Sequence, residues 1–252
     1  MPFTFSHPAI VLPFANSKRK LFSLTGLVMG SIAPDIEFLM QLKETNNFAH
    51  TWPWVILFNI PVTILLAFVF HEIIRNTLIL HLPKYLQQRF YKFIFFNWPG
   101  YFNQNKLKFL LSAFIGIVSH IFLDAFTHHD GTFVKMYSFF YQQITILQYS
   151  LPVFFLLQMG TSLLGGFYIL WIIFKMKKEN QWQEEKPILG YWLSLVITAC
   201  CVFIVRLILD KAHQSVADIV VAFFGSMLYA LLIISLYYLI KKDNNIKRSP
   251  VM

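Results

Sequence analysis

The sequence predicts an all-α protein: a polytopic membrane helix bundle with about five spans plus an N-terminal helical hairpin. Three observations predict it. Of 252 residues, 57% are hydrophobic and 13% charged, whereas a soluble domain carries about a quarter charged residues. Mean hydropathy is +0.57. The apolar residues also gather in runs near the roughly 17–25 residues that a helix needs to cross a bilayer. One integral membrane domain over residues 1–252 is the simplest organisation of such a chain.

At the N-terminus, His7–Phe14 and Leu21–Met40 are apolar, and Asn16, Ser17, Lys18, Arg19 and Lys20 separate them. Pro34 lies between Gly30 and Asp35, which argues against an uninterrupted helix through that point. Residues 1–42 therefore read as a membrane-embedded helical hairpin. It has a short arm after Ser6-His7-Pro8, a basic turn, and a return arm ending near Pro34-Asp35. Arms of roughly 10–15 residues reach about 15–20 Å, enough to penetrate a bilayer deeply but not to cross it comfortably. Spans follow near 53–70, 107–126, 151–174, 190–209 and 216–240. The first is short and holds Pro61. The third has no charge, and its Gly160, Ser162, Gly165 and Gly166 suit close helix packing.

The formal charge of +9 raises nucleic acid as a partner. The basic residues, however, sit in short connections between apolar runs, with no basic stripe interleaved with exposed aromatics, so nucleic acid is set aside. Their distribution sets topology instead. One side receives Lys18, Arg19 and Lys20, then Arg75, Lys84, Arg89, Lys92 and Lys106, then Lys175, Lys177, Lys178 and Lys186, and finally Lys241, Lys242, Lys247 and Arg248. The other receives Lys43, Lys135 and Lys211. The basic side, with the C-terminus, is expected to be cytoplasmic, and the chain a multi-pass protein of the cell's inner membrane. The start MPFTFSHPAI lacks the basic region and long apolar core of a cleavable signal peptide. Cys200 and Cys201 are adjacent within an apolar run and form neither a disulfide framework nor a metal motif.

The Lys-poor ends hold the unusual ionisable residues. His7 and Asp35 lie at the two ends of the hairpin, Glu37 two residues on, and His50 just before the first span. His120, Asp124, His128 and Asp130 lie at the exit of the second span, in SHIFLDAFTHHDG. His120, Asp124 and His128 are i, i+4 and i+8, hence one stripe of one helix face. Imidazole and carboxylate are the donors that suit zinc, manganese or iron, and paired donors on one face are a common way to build a metal site in a bundle. An aspartate at a helix centre in the membrane costs about 2.5–3.5 kcal/mol on insertion scales, so residues of this kind tend to be functional. Asp210, His213 and Asp218 are weaker candidates in the last link, and Arg206 is spaced to pair with Asp210. His71, Glu72 and Arg75 read as an interfacial ion-pair cluster, and His81 as a surface residue.

MPFTFSHPAIVLPF, GSIAPDIEF and SHIFLDAFTHHDG, with LQYSLPVFFLLQMGTSLLGG after them, resemble a bacterial membrane-protein family of unknown function over essentially the whole chain. That family in turn resembles the membrane-bound metal-dependent hydrolases, whose hallmarks are an N-terminal T-H or S-H, P-D-x-D, and H-x-x-x-D on a helix. The resemblance carries that pattern onto His7, Asp35, His120 and Asp124. Glu37 stands where the hydrolases have a second Asp, and Ala49-His50-Thr51 matches their T-H-S element loosely.

A metal-dependent hydrolase at the outer membrane–water interface is the leading expectation. His7, Asp35, His50, His120, Asp124 and His128 would hold one or two divalent ions, zinc first, with manganese or iron as alternatives. Asp35 or Glu37 would be a further ligand or the general base, and the substrate would be lipidic, such as a phospholipid or an isoprenoid phosphate. The alternatives are a proton- or ion-coupled transporter and a structural membrane protein. A hydrolase needs an open coordination position, a transporter a continuous polar path, and a structural site closed coordination.

Overall fold

The computed structural model describes residues 4–15, 21–44, 48–180, 188–210 and 215–248. Helices dominate. Among the described residues, five helical runs are long and apolar enough to cross a membrane: Trp54–Leu80, Lys106–Met136, Val153–Lys175, Ile188–Leu209 and Val216–Lys241. These agree with the five expected spans and make the chain a multi-pass, all-α membrane protein by length and composition. The backbone groups into two units, one within Met1–Glu37, Asn46–Leu66 and Gln104–Lys175, the other within Phe38–Thr45, Ala67–Asn103 and Met176–Met252.

The N-terminal segment forms α1 (Pro8–Ala15) and α2 (Leu24–Gln41); the basic turn expected between them lies outside the described residues. The expected break at Pro34 does not occur. α2 runs through Pro34 to Gln41, with Ala33, Asp35, Ile36, Glu37, Phe38 and Leu39 all buried. A helix-interior proline costs about 3 kcal/mol, whereas each large apolar side chain buried returns about 1.5–3 kcal/mol. Packing along residues 33–39 outweighs the lost hydrogen bond.

The first span is longer than expected. It starts as α3 (Trp54–Leu57), resumes as α4 (Asn59–Phe68), widens into a π-helical turn at Val69–Ile74, and ends as α5 (Arg75–Leu80). The interruption after Leu57 has a cause in Pro61, which cannot donate to the carbonyl four residues back and whose ring crowds it. α6 (Lys84–Phe90) and α7 (Trp98–Gln104) follow, then α8 (Lys106–Thr127) and α9 (Thr132–Met136). A short hairpin, β1 (Gln143–Ile146) paired antiparallel with β2 (Tyr149–Pro152), is the one element outside the helical expectation among the described residues. α10 (Val153–Lys175), α11 (Ile188–Leu209) and α12 (Val216–Arg248) complete the chain.

In the first unit, glycines bring backbones together. A Cβ on Gly26 would stand 2.7 Å from the Phe109 carbonyl oxygen, and Cβ atoms on Gly30 and Gly116 would overlap the carbonyls of Ala113 and Leu27. α2 and α8 thus touch backbone to backbone, as small residues permit in membrane bundles. The Ser23 amide donates to Ser112 Oγ at 2.8 Å across the same contact. Gly165 of α10 meets Ser6 before α1, whereas Gly160 and Gly166 face open space.

In the second unit, Tyr191, Leu195, Ala230 and Ile234 pack α11 on α12. Arg206 and Asp210 form the expected ion pair, at 3.6 Å. Asp218 closes a reciprocal capping box with Ser215: its amide donates to Ser215 Oγ at 3.0 Å, and the Ser215 amide donates to Asp218 Oδ2 at 3.2 Å. That is a structural role for Asp218, and His213 lies outside the described residues. His81 is buried, not on the surface. Its ring stacks on Tyr191 at 4.3 Å, and its Nδ1 donates to the Thr77 carbonyl at 2.8 Å. Arg75 is likewise buried, against His71 and the Phe96 carbonyl, while Glu72 is exposed.

Candidate metal centre

α8 supplies the stripe that the i, i+4, i+8 spacing predicts. His120 and Asp124 are buried on one face, and the helix ends at Thr127, so His128 stands as its C-cap in extended backbone. The neighbouring backbone of α2, held close by Gly30 and Gly116, places Asp35 opposite them. The Ser31 carbonyl accepts a 2.7 Å hydrogen bond from His120 Nδ1. That bond fixes the tautomer: with the proton on Nδ1, Nε2 presents its lone pair inward.

His50 arrives on a 3₁₀ turn, Phe48–His50, that two buried side chains of the first unit pin by its middle residue. Glu37 Oε2 accepts from the Ala49 amide at 3.1 Å, and Asn59 Nδ2 donates to the Ala49 carbonyl at 2.7 Å. Glu37, expected as a base or ligand, thus spends one oxygen on the turn carrying His50. Nothing in the sequence reading singled out Asn59, Ser31 or Gln158. A lone Asn inside the apolar run 53–70 was the available signal for the first, and a backbone carbonyl leaves none.

Asp35, His50, His120 and Asp124 each offer one ligand atom, and the four atoms lie within 4.8 Å of one another. His120 Nε2 is 3.3 Å from Asp35 Oδ1 and 3.2 Å from Asp124 Oδ2. His50 Nε2 is 3.7 Å from Asp35 Oδ1, 3.4 Å from Asp124 Oδ2 and 3.4 Å from His120 Nε2. Donors about 2.0–2.2 Å from a tetrahedral zinc stand about 3.3–3.6 Å apart. These five edges bracket that range, and all but the His120–Asp124 edge are longer than the 2.7–3.2 Å of an ordinary N–H···O bond. Both Asp35 carboxylate oxygens and Asp124 Oδ1 are buried and accept no hydrogen bond among the described residues. Buried carboxylate oxygens without hydrogen-bond partners are costly, and a cation among them removes that cost. The four residues therefore fit a divalent metal ion.

His7 and His128 stand outside the four and converge on the far oxygen of Asp124. His7 Nε2 is 3.8 Å from Asp124 Oδ1, and the His7 ring stacks on His120 at 3.9 Å. His128 Nδ1 is 3.3 Å from Asp124 Oδ1 and 3.3 Å from Thr127 Oγ1, and the Gln158 amide nitrogen donates to His128 Nε2 at 2.9 Å. His129 and Asp130 are exposed. The structure thus gathers all six expected ligands, four around one point and two behind Asp124.

A family model described as a domain of unknown function, DUF4184, matches residues 1–236. The chain belongs to that family. No curated protein and no solved structure matches it. The family match covers the whole candidate site, from His7 to Gln158.

Proposed function

We propose that the chain is a membrane-embedded metal-dependent hydrolase acting on a lipidic or phosphate-ester substrate, with zinc as the first-choice ion and manganese or iron as alternatives. The observation that carries the metal is the convergence of Asp35, His50, His120 and Asp124, whose ligand atoms lie within 4.8 Å of one another, with both histidine Nε2 atoms 3.2–3.7 Å from Asp35 Oδ1 and Asp124 Oδ2. Such an ion acts as a Lewis acid and brings the pKa of a water toward about 7. The surrounding residues hold the donors in place. Ser31 sets the His120 tautomer, Glu37 and Asn59 position His50 through Ala49, and His128, backed by Gln158, orients Asp124. In this reading Asp35 is a ligand and Glu37 a positioning residue. The sparse Lys and Arg on the side of these residues support an extracytoplasmic site and a cytoplasmic C-terminus.

A structural metal site is the second reading, and one observation favours it: the four candidate donors would by themselves complete the closed, four-coordinate set of structural zinc. One experiment separates the readings. Metal is measured in detergent-purified protein after reloading with zinc or manganese, beside hydrolysis of a phosphodiester and of phospholipid in mixed micelles. The hydrolase reading expects about one tightly held ion and hydrolysis, both lost in His120→Ala and Asp124→Ala. Metal without hydrolysis of either ester leaves the structural reading. Wild type as metal-free as the variants sinks both.

A further inference from the structure

Between α9 and α10 the chain does something unusual for a connection between spans. From Met136 to Phe174 it has no Asp, Glu, Lys, Arg or His. The stretch preceding α10 is nonetheless exposed: Met136, Tyr137, Phe139, Tyr141, Ile144, Ile146 and Tyr149 all stand out from the protein surface. A water-facing loop normally carries charge, and this one carries aromatic and branched apolar side chains instead.

The hairpin register gives that exposure a direction. Ile144 pairs with Leu151 and Ile146 with Tyr149, while Gln143 pairs with Pro152 and Thr145 with Ser150. Directly opposed residues share a face, and successive residues alternate faces. One face is therefore Ile144, Ile146, Tyr149 and Leu151, and the other is Gln143, Thr145, Ser150 and Pro152. The hairpin is amphipathic, and on its apolar face Ile144, Ile146 and Tyr149 are exposed while Leu151 is half-buried. At the tip, Leu147 is 94% exposed and has φ 57°. The left-handed region costs a non-glycine residue about 1–2 kcal/mol, and Gly or Asn is the usual occupant of such a turn. A leucine there sets an apolar side chain at the most projecting point of the hairpin.

We infer that the Gln143–Pro152 hairpin lies in the membrane interface, with Leu147 and the Ile144–Ile146–Tyr149–Leu151 face turned into the acyl-chain boundary and the Gln143–Thr145–Ser150 face toward headgroups and water. The partner is lipid because the patch is continuous with membrane-crossing runs at both ends: Lys106–Met136 precedes it and Val153–Lys175 follows. Tyrosine, with its apolar ring and polar tip, suits that boundary. With no charge on the hairpin, the recognised feature is the apolar–polar boundary itself, not an anionic headgroup. The inference stands without the metal. It does place a lipid surface beside the centre, because α10 leaves the hairpin at Val153 and reaches Gln158, the partner of His128, within two turns.

Site-directed spin labels test this. Leu147→Cys, Ile144→Cys and Thr145→Cys are made one at a time in a Cys200→Ser/Cys201→Ser background and reconstituted into phosphatidylcholine vesicles. Power saturation then compares access of oxygen, which favours the lipid phase, with access of a water-soluble nickel chelate. The labels at 147 and 144 are expected to be several-fold more accessible to oxygen than to nickel, with the reverse at 145, unchanged by high salt or added anionic lipid. Equal nickel access at all three positions overturns the inference, because the hairpin is then in water. Dipolar broadening at 147 that disappears on dilution with unlabelled protein also overturns it, because the apolar face then meets a second copy.

Discussion

Asp124 has its two oxygens turned to different company: Oδ2 toward His50 and His120, Oδ1 toward His7 and His128. Loss of a direct donor and loss of a supporting group should therefore differ in degree. Removing the groups that orient a ligand typically weakens metal binding 10–100-fold. His128→Ala, Asn59→Ala and Glu37→Ala are expected to fall in that range in a chelator competition, with the fold retained, whereas His120→Ala abolishes binding. If Glu37→Gln keeps full metal affinity and loses all hydrolysis, Glu37 is the general base after all. Acidification is expected to release the ion, because protons compete for imidazole and carboxylate donors. A metal-retention curve against pH reads this directly. The i, i+4, i+8 spacing made His120, Asp124 and His128 legible as one stripe, but which nitrogen of His120 faces inward depends on a carbonyl of another helix.

At the scale of elements, the contact of α2 with α8 decides whether the cluster assembles. Gly30→Ala and Gly116→Ala each place a Cβ into a facing backbone carbonyl, and backbone cannot rotate aside. Overpacking of this kind costs about 1–3 kcal/mol. Both variants are expected to lower the thermal midpoint in detergent and to weaken metal binding, since Asp35 moves away from His120. Gly160→Ala, which meets nothing within 4 Å, is the control and is expected to match wild type. The glycines at 160 and 166 look alike in sequence to the one at 165, yet only Gly165 is at a contact. A glycine pattern reveals that close approach is permitted, and the partner helix determines where it happens. Pro34 is the reverse case. Local propensity argued for a break, and the buried run from Ala33 to Leu39 overrode it.

At the scale of the whole molecule, five apolar runs among the described residues make a multi-pass chain, and the uneven distribution of Lys and Arg predicts that the C-terminus is inside. Single cysteines at Asp130 and Lys178, in a background lacking Cys200 and Cys201, test it with a membrane-impermeant maleimide on intact cells. Asp130→Cys is expected to label directly and Lys178→Cys only after permeabilisation. The opposite pattern reverses the orientation and puts the candidate metal site on the cytoplasmic side.

Membrane spanning was readable from the sequence alone, because a bilayer demands long apolar helices whatever they pack against. So was the stripe on α8, because helical periodicity is local. The identity of the four donors that meet at one point was not. That depends on how far apart the α2 and α8 backbones stand, on a two-sided pin at Ala49, and on a proline-bearing helix that packing keeps whole. Tertiary contacts decided each of these, as they decided the burial of His81 and Arg75, because a side chain's environment is made by segments far away in the chain.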